Sequence, residues 1–233
     1  MIGELLSVGL AGTTATLAVG AYAPNSRLFG PVIGRGPTTS RTLYLTFDDG
    51  PSSSATPQIL DTLARFEVPA TFFLVGAHVR HSPDIARAIH AAGHEIGNHT
   101  DTHSKLHLKG PRATADELWR AHETIVGVVG QAPRLFRAPH GYKNPFLAHA
   151  ARDLGYHLVG WTFGVWDSDC PGADTIRRRV LAKIRPGAIL LLHDGDGYDP
   201  HGDRSQTADA LEGIIEDARG RGFQFGPLAD LLA

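Results

Sequence analysis

Short apolar runs that alternate with amphipathic segments constrain this chain more than any other feature. Leu43–Phe47, Ala70–Val75, His94–Gly97, Leu135-Phe136, His157–Phe163, Ala188–Leu192 and Phe223–Phe225 read as strands. Between them, Thr56–Phe66 places Ile59, Leu60, Leu63 and Phe66 at helical spacing, with Pro57 in the first turn. Ser82 opens a further helix that Gly93 closes, and helical patterns follow over Thr114–Val129, Pro145–Leu154, Asp174–Ile184 and Gln206–Arg219. Ala188–Leu192 has no polar interruption, as a strand covered on both faces requires. Strands alternating with helices imply a parallel sheet, because parallel strands need crossover connections. Some seven or eight such units within 233 residues favour one α/β domain with a closed or nearly closed barrel. Hydrophobic residues make up 42% of the chain, enough to fill that core.

Barrels of this kind display their chemistry where strands end. The polar residues at the expected C-terminal strand ends are Asp48, Asp49, His99, Arg137, Asp167 and His193. Asp48 and Asp49 stand in Thr46-Phe47-Asp48-Asp49-Gly50, which also reads as an ordinary Asp-Gly turn. His99 and His103 lie four residues apart. On a helix, that spacing would put both rings on one face. Two His and one carboxylate suit Zn²⁺ or another divalent transition metal with positions left open. With 13 histidines such spacings also arise by chance, and His103 and His107 repeat this one. Position in the barrel separates the two pairs. His193 leaves a buried strand where a proton donor or ligand would be displayed, and Arg137, if buried, needs a carboxylate partner such as Asp48 or Asp167. Together these residues describe metal-assisted hydrolysis.

The totals exclude several alternatives. A formal charge of −2 gives no electrostatic footprint for nucleic acid. A single cysteine, Cys170, excludes a zinc site of several thiolates. Leu5–Ala23 is apolar, uncharged and about the length of a membrane span, but no Lys or Arg precedes it. It reads as an apolar helix, either a membrane anchor or packed on the domain, and Pro24–Thr39 as a linker. The expected organisation is residues 1–40 as this segment and residues 41–233 as the catalytic domain. The Asp194–Arg204 stretch lacks the EF-hand spacing and reads as a solvated loop.

From Arg41 onward the chain resembles the polysaccharide deacetylases, carbohydrate esterase family 4, also called the NodB-homology domain. Five motifs appear in order: Thr46–Gly50, His99–His103, Arg137–His140, Asp167, and Leu191–His193. The resemblance implies a distorted (β/α)7 barrel. It implies Asp48 as general base and Asp49, His99 and His103 as ligands of one divalent metal. Zn²⁺ heads the candidates, with Co²⁺, Ni²⁺ and Fe²⁺ behind it. It further implies Arg137 as the tether of the base, His193 as the acid paired with Asp167, and the His140 backbone N–H beside Pro139 as an oxyanion donor. Tyr142, Trp161, Trp166 and Leu191 are the expected groove residues, and an acetylated carbohydrate is the expected partner. His140 stands where Tyr is commonest, and Ser168 where Trp often follows the aspartate. The rival expectations are hydrolysis of a small non-sugar amide and a carbohydrate-binding relative without catalysis.

Overall fold

The computed structural model describes residues 16–232. Residues 5–15 of the apolar segment therefore lie outside the described residues, and residues 16–22 form helix α1. Nine strands form one sheet, every pair parallel. In chain order they are β1 (Val32–Ile33), β2 (Thr42–Asp48), β3 (Ala70–Leu74), β4 (Glu95–Asn98), β5 (Leu135–Phe136), β6 (His157–Val159), β7 (Phe163–Gly164), β8 (Ile189–His193) and β9 (Gln224–Phe225). The order across the sheet is β1-β6-β5-β4-β3-β2-β8-β7, with β9 also on β2. Helices α2 (Thr56–Arg65), α3 (Gly76–His81), α4 (Pro83–Ala91), α5 (Pro111–Val129), α6 (Leu147–Asp153), α7 (Ala173–Leu181) and α8 (Ser205–Gly220) connect them. This is the expected α/β architecture, a curled parallel barrel.

Two segments differ from the sequence reading. His157–Phe163 reads as one strand, but it divides into β6 and β7, which sit towards opposite ends of the sheet path. Residues 160–162 carry the chain across the seam: the Gly160 amide donates to the Ile33 carbonyl, and the Thr162 amide to the Ile189 carbonyl. One short stretch thus spans the gap at which a regular barrel would close. The expected linker also joins the sheet, with Val32 and Ile33 paired to Leu158 and Val159.

Side-chain alternation along the strands decides what faces inward. On β2, Leu43, Leu45 and Phe47 pack in the large cluster beneath the helices, while Tyr44 joins the interior cluster with Phe73, Leu135, Val159 and Ile189. Thr46 and Asp48 share the face of Tyr44. On β8, Leu190 and Leu192 likewise go outward, which leaves Leu191 and His193 inward. The β2–β8 register then sets Asp48 opposite His193. Two ionisable side chains are brought level on adjacent strands by period and register alone.

Candidate active site

Asp48, Asp49, His99, His103, Arg137, Asp167 and His193 converge at the C-terminal ends of the strands. Apart from Arg137 and Asp167, which are fully buried, they line a cleft of about 400 Å³. That volume falls in the range of small-ligand sites, roughly 300–1,000 Å³.

Asp49 Oδ1 lies 3.3 Å from His99 Nε2 and 3.0 Å from His103 Nε2. These spacings approach the roughly 3.3 Å ligand–ligand edge of a tetrahedron with metal bonds of about 2.0–2.1 Å. Asp49 Oδ1 is buried and has no hydrogen-bond partner among the described residues, an orphaned acceptor that a cation would satisfy. His99 Nδ1 donates to the Arg137 carbonyl at 2.8 Å, which fixes the tautomer with the Nε2 lone pair facing Asp49. Among the described residues, this is the one group of three or more His, Cys, Asp or Glu able to hold a metal. Burial alone would raise the Asp49 pKa, but His103 and His99, together with the charge of His193, hold it well below the usual carboxylate range.

The segment that joins the two histidines is not the helix their spacing suggests. Residues 99–103 form a loop, with Thr100 at φ 71° and His103 at φ 54°. Left-handed backbone at non-glycine residues costs of order 1–3 kcal/mol each and persists only where the surroundings over-determine it. Here Glu117 of α5 does so. Its carboxylate accepts from the Asp101 and Thr102 amides at 3.1 and 3.0 Å and from the Thr102 and Ser104 hydroxyls at 2.8 and 2.6 Å. Burial opposes that charge, yet the Ser104 hydroxyl, the Thr102 hydroxyl and amide, and Lys109 leave the Glu117 pKa lowered. Asn98 adds a fixed point, accepting from the Thr100 amide at 2.8 Å. Neither residue stands out in the sequence. Glu117 is detectable in principle, because it shares the buried stripe of α5 with Thr114, Leu118 and Ala121. A carboxylate on such a stripe needs donors.

Arg137 is fully buried and donates from Nη1 to Asp48 Oδ1 at 2.7 Å and to Thr46 Oγ1 at 2.8 Å, and from Nη2 to the Gly160 carbonyl at 2.8 Å. Its guanidinium also lies over the Phe73 ring, 4.2 Å from the centroid. The sequence leaves Asp48 and Asp167 open as partners of Arg137, and Asp48 is the one in contact. With Oδ1 taken, Asp48 Oδ2 faces the Asp49–His99–His103 group, 3.7 Å from His99 Nε2.

On the other side, Asp167 grips His193 twice, accepting from its amide at 2.7 Å and from Nδ1 at 3.0 Å, while Thr207 donates to the same carboxylate at 3.1 Å. Burial alone would lower the His193 pKa, but the Asp167 charge and hydrogen bond prevail and push it up to about 10. The Nε2 side of the ring, away from Asp167, is left for the cleft.

Pro139, His140 and Gly141 form a single 3-10 turn in which His140 takes φ 57°. The Gly141 and Tyr142 amides donate back to Ala138 and Pro139, and the His140 amide takes part in neither bond. Burial lowers the His140 imidazole to about 4, helped by the charge of His103. Tyr142, Trp161 and Leu191 line the cleft, and Trp166, 70% exposed, stands at its lip. The Asp194–Arg204 stretch departs from the solvated loop expected of it. Gly197 lies so close to His103 that a Cβ there would overlap the imidazole, and Tyr198 joins the cleft wall.

A parallel barrel that sets three side chains able to hold a metal between an Arg-tethered carboxylate and an imidazole of raised pKa has the framework of a metal-dependent hydrolase. Comparison with known proteins narrows that class. The polysaccharide deacetylase family model matches residues 35–159. The chitooligosaccharide deacetylase of Bradyrhizobium sp. (strain ANU 289) is 41% identical over 214 residues, covering 88% of this chain and 94% of the relative. The crystal structure of a peptidoglycan N-acetylglucosamine deacetylase in complex with 4-naphthalen-1-yl-N-oxidanyl-benzamide superposes with a TM-score of 0.80 at 32% identity, covering 85% of this chain and 91% of that one. A family 4 pseudoenzyme from Bacillus anthracis superposes with a TM-score of 0.78 at 29% identity, covering 86% of this chain and 68% of that one. The chain belongs to the polysaccharide deacetylase family. It is accordingly a hydrolase of carbon–nitrogen bonds other than peptide bonds. Since one neighbour is a pseudoenzyme, likeness of fold alone carries no turnover, and activity has to come from the residues of the cleft.

Proposed function

We propose that this chain removes the acetyl group from N-acetylglucosamine units of a chitooligosaccharide or peptidoglycan-type glycan, the substrates named for its relatives. The observation that carries this reading is the flanking of one metal-ligand cluster by two different pairs, Arg137–Asp48 and Asp167–His193. Asp49, His99 and His103 would hold a divalent cation, with Zn²⁺ the first candidate for a site of two His and one carboxylate. When bound, that ion supplies a Lewis acid for the acetyl oxygen and acidifies water.

The chain's own residues account for the remaining steps. Asp48 accepts the proton of the attacking water on Oδ2, because Arg137 occupies Oδ1. The His140 amide is the oxyanion donor, and loss of one such donor costs roughly 3–4 kcal/mol in other hydrolases. His193 gives its proton to the departing nitrogen, and Asp167 keeps that proton in place at neutral pH. Acetate and a free amine result. This last step supports N- over O-deacetylation. An amide nitrogen cannot leave as an anion, whereas an ester oxygen makes a weaker demand on the acid.

The test is a panel of acetylated substrates, scored for acetate release by protein stripped of metal and restored with single metals. Release from N-acetylated oligomers but not from ureides or small amides is expected. Release from the small amides alone would reverse the assignment.

A second reading concerns the N-terminus. No helix among the described residues is long and apolar enough to cross a membrane. Leu17, Val19 and Tyr22 of α1 are nonetheless exposed, and Tyr22 packs on the groove residue Tyr142 at 5.2 Å between centroids. This supports membrane-surface association beside the groove. Co-sedimentation with phosphatidylcholine–phosphatidylglycerol vesicles that falls on Leu17→Ser and Val19→Ser would bear it out. Equal recovery of wild type and variant in the supernatant would end it.

A further inference from the structure

Helix α3 stands between the two chain segments that supply Asp49, His99 and His103. Asp49 follows the end of β2, His99 and His103 lie in the loop after β4, and β3 runs between those two strands. α3 follows β3 directly, so it leaves the same end of the sheet between the two segments.

Both segments are tied to it. On the β4 side, the Gly76 and Ala77 amides donate to the Thr100 and Asp101 carbonyls at 3.0 and 2.9 Å. The half-exposed Arg80 adds a contact of 2.6 Å from Nη1 to Asp101 Oδ1. On the β2 side, the Val75 amide donates to the Gly50 carbonyl at 2.9 Å, and His78 Nδ1 lies 2.8 Å from the Asp49 carbonyl. The loop of the two histidines is thus held mainly by α3 backbone. Asp49 itself is held by one side chain of α3, and that side chain is only 4% exposed.

Asp49 needs such support. Its backbone takes φ 73°, a left-handed conformation that a non-glycine residue keeps only where its surroundings impose it. The Asp49 carbonyl can only accept, so the imidazole hydrogen sits on Nδ1. The bond then fixes the direction of that carbonyl, and with it the frame from which the side chain leaves. Oδ1 comes to lie 3.3 Å from His99 Nε2 and 3.0 Å from His103 Nε2.

We propose that His78 is a positioning residue: by donating from Nδ1 to the Asp49 carbonyl it aims the Asp49 carboxylate at the point shared with His99 and His103, so that affinity for the divalent cation depends on it. The assignment rests on the metal site of the deacetylase reading and deepens it. His78 acts through Asp49 alone and lies outside the five motifs.

The experiment titrates zinc, in competition with a chromogenic chelator, into metal-stripped wild type, His78→Leu and His78→Asn. Leucine keeps bulk without a donor. The asparagine Nδ2 is as many bonds from Cα as the histidine Nδ1 and restores an N–H. His78→Leu should bind zinc about 10–100-fold more weakly, the usual effect of losing a residue that orients a ligand. His78→Asn should return to within about threefold of wild type. A role in packing alone would reverse that order, because leucine fills the space better. Zinc affinity within about twofold of wild type in His78→Leu, or equal losses in both variants, overturns the assignment. A second measurement needs no variant: in ¹⁵N-labelled, zinc-loaded wild type the His78 Nδ1 should carry a hydrogen, and an imidazole protonated on Nε2 alone overturns the assignment as well. Acetate release from an N-acetylglucosamine oligomer is scored separately in zinc-loaded wild type. Its absence would overturn the deacetylase reading, while the zinc affinities still decide the role of His78.

Discussion

Replacing Asp167 by Asn isolates the proton donor. In the native protein, the Asp167 carboxylate raises the His193 pKa to about 10 against a burial penalty that acts the other way. At pH 8 essentially every His193 is then protonated. Without the Asp167 charge, burial acts against only the pulls of Asp49 and Asp48, and at the ordinary histidine pKa of about 6.5 about 3% of the imidazole would be protonated at pH 8. Turnover should fall by up to about 30-fold at that pH from ionisation alone. The amide group of Asn adds a second loss: the native carboxylate accepts from both the His193 amide and Nδ1, while Asn offers one acceptor. The ionisation part should fade towards pH 5.5, where a group of pKa 6.5 is about 90% protonated, leaving a smaller residual defect. The assay is kcat against pH for wild type and variant, with metal content measured in each. A deficit of the same size at pH 5.5 and pH 8 would refute the idea that Asp167 acts by keeping His193 charged. Stability gives an independent check. A folded pKa above the unfolded one contributes stability that is complete below about pH 6.5 and lost as pH rises towards 10. The wild-type advantage over Asp167→Asn in midpoint denaturant concentration should therefore shrink across that window.

Other perturbations test the supporting structure. Glu117→Ala should weaken zinc affinity about 10–100-fold, because four donors of the loop that carries His103 lose their acceptor; a competition titration against a chromogenic chelator reads this, and unchanged affinity would show that the loop holds its own shape. His99→Ala should lose both metal and activity, and normal metal content by elemental analysis would remove His99 from the ligand set. Arg137→Met should lower turnover and thermal midpoint together, since the buried Asp48 loses its cation and Thr46 a donor. Wild-type melting in Arg137→Met would contradict the burial argument.

The fold is legible in the sequence because its signal repeats. A continuous apolar run such as Ala188–Leu192 suits a strand buried on both faces, and strand ends then locate Asp48, Asp49, His99, Arg137 and His193 without any contact information. What stays hidden depends on contacts distant in sequence. Val32-Ile33 is too short to announce a strand and takes that state only by pairing with Leu158 and Val159. The seam at residues 160–162 interrupts an apolar run that looks like a single strand, because crossing the barrel gap needs extended backbone with different partners on each side. The four-residue spacing of His99 and His103 suggests a helix turn, whereas a loop with two left-handed residues brings the rings together. Local propensity disfavours that loop, and Glu117, on the helix that follows it, offsets the strain. Tyr198 is hidden for a similar reason: its loop is polar and rich in Gly and Asp, and only the contact of Gly197 with His103 makes it part of the cleft.

Above all, the mechanism requires Asp48 to act as a base beside a metal held by other residues, and Asp48→Asn tests this without intermediaries. The asparagine keeps the shape of the side chain and leaves Asp49, His99 and His103 intact. Metal-reconstituted wild type and variant would be compared for bound metal per chain and for acetate released from an N-acetylglucosamine oligomer. Equal metal content and a turnover loss of about 10²–10⁴-fold are expected. Turnover within about a factor of two of wild type at equal metal content would show that Asp48 is not the base.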